Sequence, residues 1–120
     1  MRRVKLFMDG KLVIENCGVA TSFLDRLCGL MGKKNIRPDE ALYFPSCNSI
    51  HTFFMRFPID VVFINKDGTA VEIIEALRAN RCLAPRWRAK NTLEMRAYRC
   101  RELGIVAGSR FQGEGLGFEI

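Results

Sequence analysis

Several chemically distinctive side chains lie inside the densest apolar run of the chain, CNSIHTFFMRFPIDVVFI at residues 47–64. They are Cys47, His51, Met55, Arg56 and Asp60. Polar groups within such a run cost free energy unless they are paired or hydrogen-bonded. The segment therefore predicts either a polar network that shapes the core or the wall of a binding cleft.

His51 is the single histidine of the chain, and an imidazole titrates near neutral pH, so it could serve as a general base or a metal ligand. The alternative is a buried imidazole that is hydrogen-bonded to the backbone or to Asp60. If residues 50–55 form a strand, His51 and Met55 share one face and Thr52 and Phe54 share the other.

Asp60 opens a strand that is otherwise too apolar for a charge, so its carboxylate must be paired or must accept several hydrogen bonds. Arg56 is one predicted partner, and the backbone amides of the turn at residues 57–58 are another. Asp60 is then either a carboxylate that fixes this turn or an acid/base group beside His51.

Cys47 and His51 form the one conceivable nucleophile–base pair in the segment, but no flanking signature of a cysteine hydrolase accompanies them. The same two residues could supply two metal ligands, yet no motif supports further ligands from Cys28 or Asp60. We therefore expect no metal and no cofactor. The glycine-rich loops that cradle nucleotide phosphates are also absent from the sequence.

Positive charge is concentrated in residues 78–101, where eight Lys and Arg residues face Glu94 alone, in a chain of net charge +6. If residues 86–90 are extended, the basic side chains project one way and Trp87 points inward. The predicted basic face consists of Arg78, Arg81, Arg86, Arg88, Lys90, Arg96 and Arg99. Such a face indicates an acidic protein or an anionic membrane surface as partner, or nucleic acid, or only a solvated cationic surface.

Short strands and turn signals predict the surrounding elements. Asp9-Gly10 joins strands at residues 4–8 and 12–14 as a hairpin. A short helix begins at Thr21 or Ser22 and ends by Gly32. Further strands are predicted at residues 41–44, 50–55, 59–64, 70–75, 92–97 and 106–111, with a helical turn at 98–103 that Gly104 ends. Strand 59–64 is expected to be covered on both faces, whereas Leu93 and Met95 alternate with an exposed Glu94.

These elements predict a mainly β (α+β) fold, a compact antiparallel β-barrel or sandwich with two short helices. The length of 120 residues predicts one domain over residues 1–120. The glycine-rich tail from residue 112 to residue 120 is expected to be loose at least in part.

The cysteines and the hydropathy of the first residues indicate the cellular compartment. The five cysteines are odd in number and lack a Cys-x-x-Cys pair, so we expect reduced thiols that are mostly small buried hydrophobes. The short apolar stretch at the start is interrupted by Asp9, Gly10 and Lys11, unlike a signal peptide. We expect a cytoplasmic protein, with a homodimer conceivable through an unpaired edge strand.

Five motifs in order, GLMG (29–32), EALYF (40–44), IHTFFMRFPIDVVFINKDG (50–68), NTLEM (91–95) and LGIVAGSRF (103–111), give the chain a family likeness. Over roughly residues 18–112 it resembles the prokaryotic domain-of-unknown-function family DUF192. The resemblance implies a compact β-rich domain and brings no biochemical activity. The chain departs from the family at Tyr98, where relatives usually have Gly, and at Gly108-Ser109, where they have Gly-Asp. Many relatives carry export signals.

The resulting hypothesis is a binding or accessory module rather than an enzyme, with a small ligand or a protein as partner. Its predicted cleft is lined by His51, Met55, Arg56 and Asp60, with Cys47 beside them, and the basic face lies nearby. The alternatives are a small hydrolase-like enzyme that uses His51 and Asp60, with or without Cys47, and a nucleic-acid-binding β-barrel that uses the arginines.

Overall fold

A computed structural model describes residues 1–22, 25, 33–52 and 55–118. Within these residues the chain forms β1 (Arg2–Met8), β2 (Lys11–Val19), β3 (Glu40–Phe44), β4 (Ile50–His51), β5 (Ile59–Ile64), β6 (Ala70–Leu77), β7 (Cys82–Leu83), β8 (Asn91–Arg96), α1 (Arg99–Leu103) and β9 (Phe111–Gln112). The prediction of a mainly β fold is confirmed.

The main sheet has the strand order β6-β5-β8-β3-β2-β1-β9, and β4 pairs with β7 in a separate ribbon. All neighbouring strands in these two sheets are antiparallel, except β2 and β3, which are parallel. A parallel pair needs a long crossover, and residues 20–39 are long enough to supply it. The two edges of the sheet meet, because Ala70 N–H donates to the Ser109 carbonyl and Phe111 N–H to the Gly68 carbonyl, both at 2.8 Å. The sheet therefore curls into a half-barrel.

Apolar side chains pack on both faces of the central strands. One cluster lies inside the curl and includes Leu6, Tyr43 and Leu93. The other lies on the opposite face and includes Phe44 and Val61. Every residue of β5 is buried, which confirms that this strand is covered on both faces.

Turn chemistry sets several element ends as predicted. Asp9 and Gly10 both have positive φ, 52° and 81°, in the β1–β2 hairpin turn. Helix α1 ends at Gly104, whose φ of 73° is left-handed. At the first predicted helix, Ser22 Oγ accepts the Asp25 N–H at 3.0 Å, as an N-cap does. The remainder of that helix, at residues 23–24 and 26–32, lies outside the described residues.

Two predicted strands are shorter in the structure, and the tail is better packed than expected. Strand β4 ends at His51 because Thr52 leaves the ladder to accept the Asn80 N–H. The last strand begins at Phe111, since the preceding residues form a turn in which Ser109 N–H donates to the Val106 carbonyl at 3.0 Å. In the tail, Leu116 is buried in the inner cluster, and the Phe118 ring lies edge-on to the Tyr43 ring at 6.1 Å.

Candidate functional site

Asp60 is a fully buried carboxylate that organises backbone. Its exposure is 0%. Oδ1 accepts the N–H groups of Ala76 and Tyr98, each at 2.9 Å, and Oδ2 accepts the Cys100 N–H at 3.0 Å. These donors come from β6 and from the start of α1 rather than from the predicted turn at residues 57–58 or from Arg56, which is exposed. Asp60 therefore fixes structure and is not a wall of an open cleft.

His51 lies elsewhere, on the exposed side of the β4–β7 ribbon. Its direct cross-strand neighbour is Cys82, which is also exposed. Just beyond the ladder, the Thr52 N–H donates to the Arg81 carbonyl at 2.8 Å, and the Arg81 N–H donates to the side-chain Oγ1 of Thr52 at 2.9 Å. Because hydrogen-bonded and non-hydrogen-bonded pairs alternate along an antiparallel ladder, His51 and Cys82 form a non-hydrogen-bonded pair. In such pairs the side chains lie closest. The register places a histidine opposite a cysteine, Cys82, which is not the cysteine that the sequence paired with His51.

Cys47, Met55 and Arg56 do not complete a cleft around His51. The Cys47 thiol donates to the Ser49 carbonyl at 3.0 Å. Met55 is buried in the outer apolar cluster, whereas His51 and Arg56 are exposed. The shared face predicted for His51 and Met55 is wrong because the strand stops at His51. The hydrolase-like arrangement of His51 with Asp60 is not formed, since one group faces solvent and the other is enclosed.

Glu94 is a buried carboxyl that sequence reasoning placed on the solvent face of β8. It is 5% exposed, and it stands between Leu42 of β3 and Val61 of β5 on the outer apolar face of the sheet. Burial raises the pKa of Glu94 to about 8. Alternation of Leu93 and Met95 with Glu94 indicated one apolar face, but it could not show that β8 is central and covered on both sides.

The predicted basic residues separate into groups at opposite ends of the β5–β8 pair. Arg96 pairs with Ile59 at the start of β5, and Lys90 N–H donates to the carbonyl of Ile64 at its other end. Six residues in an extended strand separate these ends by about 17 Å. Arg88 also lies at the Lys90 end. Arg78 and Arg81 lie beside the β4–β7 ribbon, and Arg99 lies at the start of α1. The concentration of charge along the chain does not become one surface in space.

At that end the structure shows Trp87 turned outward, 89% exposed. The prediction of an inward Trp87 is wrong because residues 86–89 form a tight turn, with Ala89 N–H donating to the Arg86 carbonyl at 2.9 Å, and not a strand. Ala89 is the buried residue of this turn. We call Lys66, Trp87, Arg88 and Lys90 the tip surface; the three cations are exposed and form no ion pair with another described residue.

Arg86 supports the tip surface from beneath instead of contributing charge to it. Its guanidinium bonds Glu72 at 2.9 Å and the Ala84 carbonyl at 2.9 Å, and lies 5.2 Å from the centre of the Phe63 ring. Its backbone exchanges hydrogen bonds with Asn48. The turn that carries Trp87 is therefore anchored on three sides.

Neither a metal-binding cluster nor a membrane-spanning helix occurs in the part of the chain that the structure describes. Among residues 1–22, 25, 33–52 and 55–118, no group of three His, Cys, Asp or Glu side chains is arranged to hold a metal ion. No helix within the same residues has the length and apolar character needed to cross a membrane.

Comparison with known sequences agrees with the motifs. The model of the family DUF192, described as "Uncharacterized ACR, COG1430", matches residues 4–113. The chain belongs to the DUF192 family. None of the curated proteins compared with it matches. The resemblance predicted from the sequence is thus confirmed, and it extends further toward the N-terminus than the five motifs indicated.

Solved structures similar to this DUF192 chain share its fold. One, from Sinorhizobium meliloti, is described as a "putative transcription regulator"; its TM-score is 0.79 at 24% identity, covering 95% of this chain and 94% of that one. Another, a protein of unknown function from Novosphingobium aromaticivorans, has a TM-score of 0.78 at 17% identity, covering 92% and 83%. At these identities the likeness shows the half-barrel fold and no specific activity.

Proposed function

We propose that this protein is a binding module that docks an acidic segment of a partner protein on its tip surface. The observation that carries the proposal is the 89% exposure of Trp87 on a turn anchored by Arg86. A tryptophan on an anchored turn has only two side-chain torsions to immobilise on binding, and Trp and Arg dominate the energetic centres of protein interfaces.

The surroundings of Trp87 favour a negatively charged polypeptide. A groove of about 430 Å³ beside the ring is lined by Asn65, Lys66, Asp67 and residues 87–90. Its three cations attract acidic side chains, and Asp67 repels negative charge. A polypeptide can place an uncharged residue opposite Asp67, whereas a phosphate backbone or lipid surface presents continuous charge to it. A smaller groove of about 140 Å³ lies on the Arg86 side of the tryptophan. An extended peptide can therefore contact the ring from either side.

Trp87 also reports on the proposed docking directly, because it is the only tryptophan of the chain. The test is selection of peptides of about twelve residues from a random display library, followed by titration of the selected peptides against Trp87 fluorescence. We expect enrichment in Asp and Glu, a change in emission on binding, and affinity that falls as salt rises.

Trp87→Ala removes the intrinsic reporter, so its binding is measured with fluorescently labelled peptides. It should reduce the affinity of the selected peptides by about tenfold or more. Val106→Ala is the matched control, since Val106 is also a large exposed hydrophobic, 60% exposed, on another turn. Selected peptides that lack acidic residues, or that bind the Trp87→Ala protein equally well, contradict the proposal. Single-stranded DNA or anionic vesicles could instead alter Trp87 emission at a salt concentration at which no peptide does. That result would overturn the proposal in favour of nucleic acid or a membrane as the partner.

A further inference from the structure

A second surface lies at the other end of the β5–β8 pair. There an open groove of about 480 Å³ is bordered by residues 35–38, 57–58 and 96–98. Its walls include Ile36, Arg37, Phe57, Arg96 and Tyr98, and we call it the end groove. It shares no lining residue with the groove at the tip surface, so its occupancy can be tested apart from docking at Trp87.

The lining of the end groove is cationic and partly aromatic. Among the described lining residues there are two arginines and two aromatic side chains, and no carboxylate. Arg37 is engaged with Asp39 at 3.0 Å. Arg96 is exposed and forms no ion pair with a described residue. The groove thus presents one uncommitted guanidinium beside apolar rings.

Tyr98 occupies its place in the groove at a conformational cost. Its φ is 69°, in the left-handed region that glycine adopts without strain. The buried Asp60 carboxylate holds the Tyr98 N–H at 2.9 Å in this conformation. Yet the ring is 52% exposed, although Arg101 lies 5.7 Å from its centre. A strained backbone that displays a large aromatic ring points to a use for that ring.

We propose that the end groove binds a small molecule that joins an anionic group, carboxylate or phosphate, to a planar apolar body. Arg96 pairs with the anion, for which its forked guanidinium is suited. Phe57 and Tyr98 contact the planar body through their rings. Binding needs both parts, because neither one exposed arginine nor two partly exposed rings alone gives a selective site.

The test uses phenyl phosphate and benzoate as probes, with inorganic phosphate and benzyl alcohol as the separated halves. Each is titrated into isotope-labelled protein while backbone amide resonances are followed by NMR. We expect phenyl phosphate or benzoate to shift the resonances of residues 96–98 at concentrations at least about tenfold below those needed for either half. The comparison of the two intact probes identifies which anion the site prefers.

Tyr98→Gly tests the contribution of the Tyr98 ring to binding without disturbing the fold. The substitution relieves the positive φ, so the protein should remain folded, while affinity for the intact probe falls by about tenfold. Arg96→Gln should have a similar effect on affinity, and Arg88→Gln at the tip surface is the matched charge control. Probe affinity that survives Arg96→Gln and Tyr98→Gly, or inorganic phosphate that binds as well as phenyl phosphate, overturns the proposal. Neither outcome changes the peptide binding expected at Trp87.

Discussion

Glu94 shows at the scale of one residue how a buried ionisable group couples stability to pH. Its pKa rises from 4.5 to about 8 in the folded protein. The folded state therefore keeps a proton that the unfolded chain releases above pH 4.5. The contribution of Glu94 to stability is fully present below that pH and is lost as pH rises toward 8.

We accordingly expect Glu94→Gln to flatten the fall in unfolding free energy between pH 5 and pH 8. At about 1.4 kcal/mol for each unit of pKa, the gain over the native protein at pH 8 is at most about 5 kcal/mol. Urea unfolding at four pH values measures it, with the exposed Glu114→Gln as control. Parallel stability curves for the native and Glu94→Gln proteins would show that the carboxyl is hydrated.

The described cysteines should differ in reactivity according to their surroundings. Cys82 is exposed opposite His51, and Cys47 is half-buried with its thiol donated to Ser49. Burial raises the pKa of Cys17 to about 12, and burial next to Asp60 raises the pKa of Cys100. We expect Cys82 to react with iodoacetamide first and Cys17 and Cys100 at least about a hundredfold more slowly.

Peptide mapping by mass spectrometry after timed quenching gives these rates. His51→Ala should slow the Cys82 reaction, because the neighbouring imidazole can accept the thiol proton, and should leave the Cys47 rate unchanged. Equal modification of Cys82 and Cys47 would contradict the order set by their exposure. A Cys82 rate insensitive to His51→Ala would mean that the cross-strand neighbours do not interact.

At the scale of elements, Asp60 joins β5 to the end of β6 and the start of α1. It accepts the N–H groups of Ala76 and Tyr98, and both donors have positive φ, 49° and 69°. Asp60→Asn keeps one acceptor oxygen but turns an amide donor toward the Cys100 N–H. We expect a loss of about 2–4 kcal/mol in unfolding free energy, measured by urea denaturation. Asp67→Asn, in an exposed turn, should cost far less; a similar cost for both would contradict the anchoring role.

Elements with an uninterrupted local pattern could be predicted from the sequence, and those set by tertiary contacts could not. The β1–β2 hairpin follows from Asp9-Gly10, and the double burial of β5 follows from its β-branched run. The alternation in residues 86–90 suggested a strand, but the Arg86 N–H donates to the Asn48 carbonyl and the Lys90 N–H to the Ile64 carbonyl, and these bonds hold the segment in a turn. His51, Arg56 and Asp60 are close in sequence, but the first two are exposed, whereas Asp60 is buried and accepts N–H groups from β6 and from the start of α1.

At the scale of the whole molecule, curvature of the sheet depends on a close approach of its two edges. Gly68 lies at that approach with φ of 86°, and a Cβ there would lie 2.7 Å from the Phe118 ring and 2.9 Å from the Phe111 carbonyl oxygen. Gly10 has a similar φ of 81° but open space around it. Comparing substitutions at the two glycines therefore separates the cost of a positive φ, which both share, from the cost of steric contact between the two sheet edges, which arises at Gly68 alone.

Gly10→Ala should cost about 1 kcal/mol from backbone strain alone. Gly68→Ala should cost about 2–4 kcal/mol, because the new methyl group also displaces packed neighbours. In the double variant with Phe118→Ala, the ring contact is removed while the carbonyl contact remains, so the added methyl group should cost less than it does with Phe118 present. Chemical denaturation of five proteins measures these differences: the native protein, the single variants Gly10→Ala, Gly68→Ala and Phe118→Ala, and the double variant. Equal losses of unfolding free energy for Gly10→Ala and Gly68→Ala would mean that the two sheet edges lie further apart in solution. The half-barrel would then be stabilised by its strand pairs without the contacts between the edges near β6 and β9.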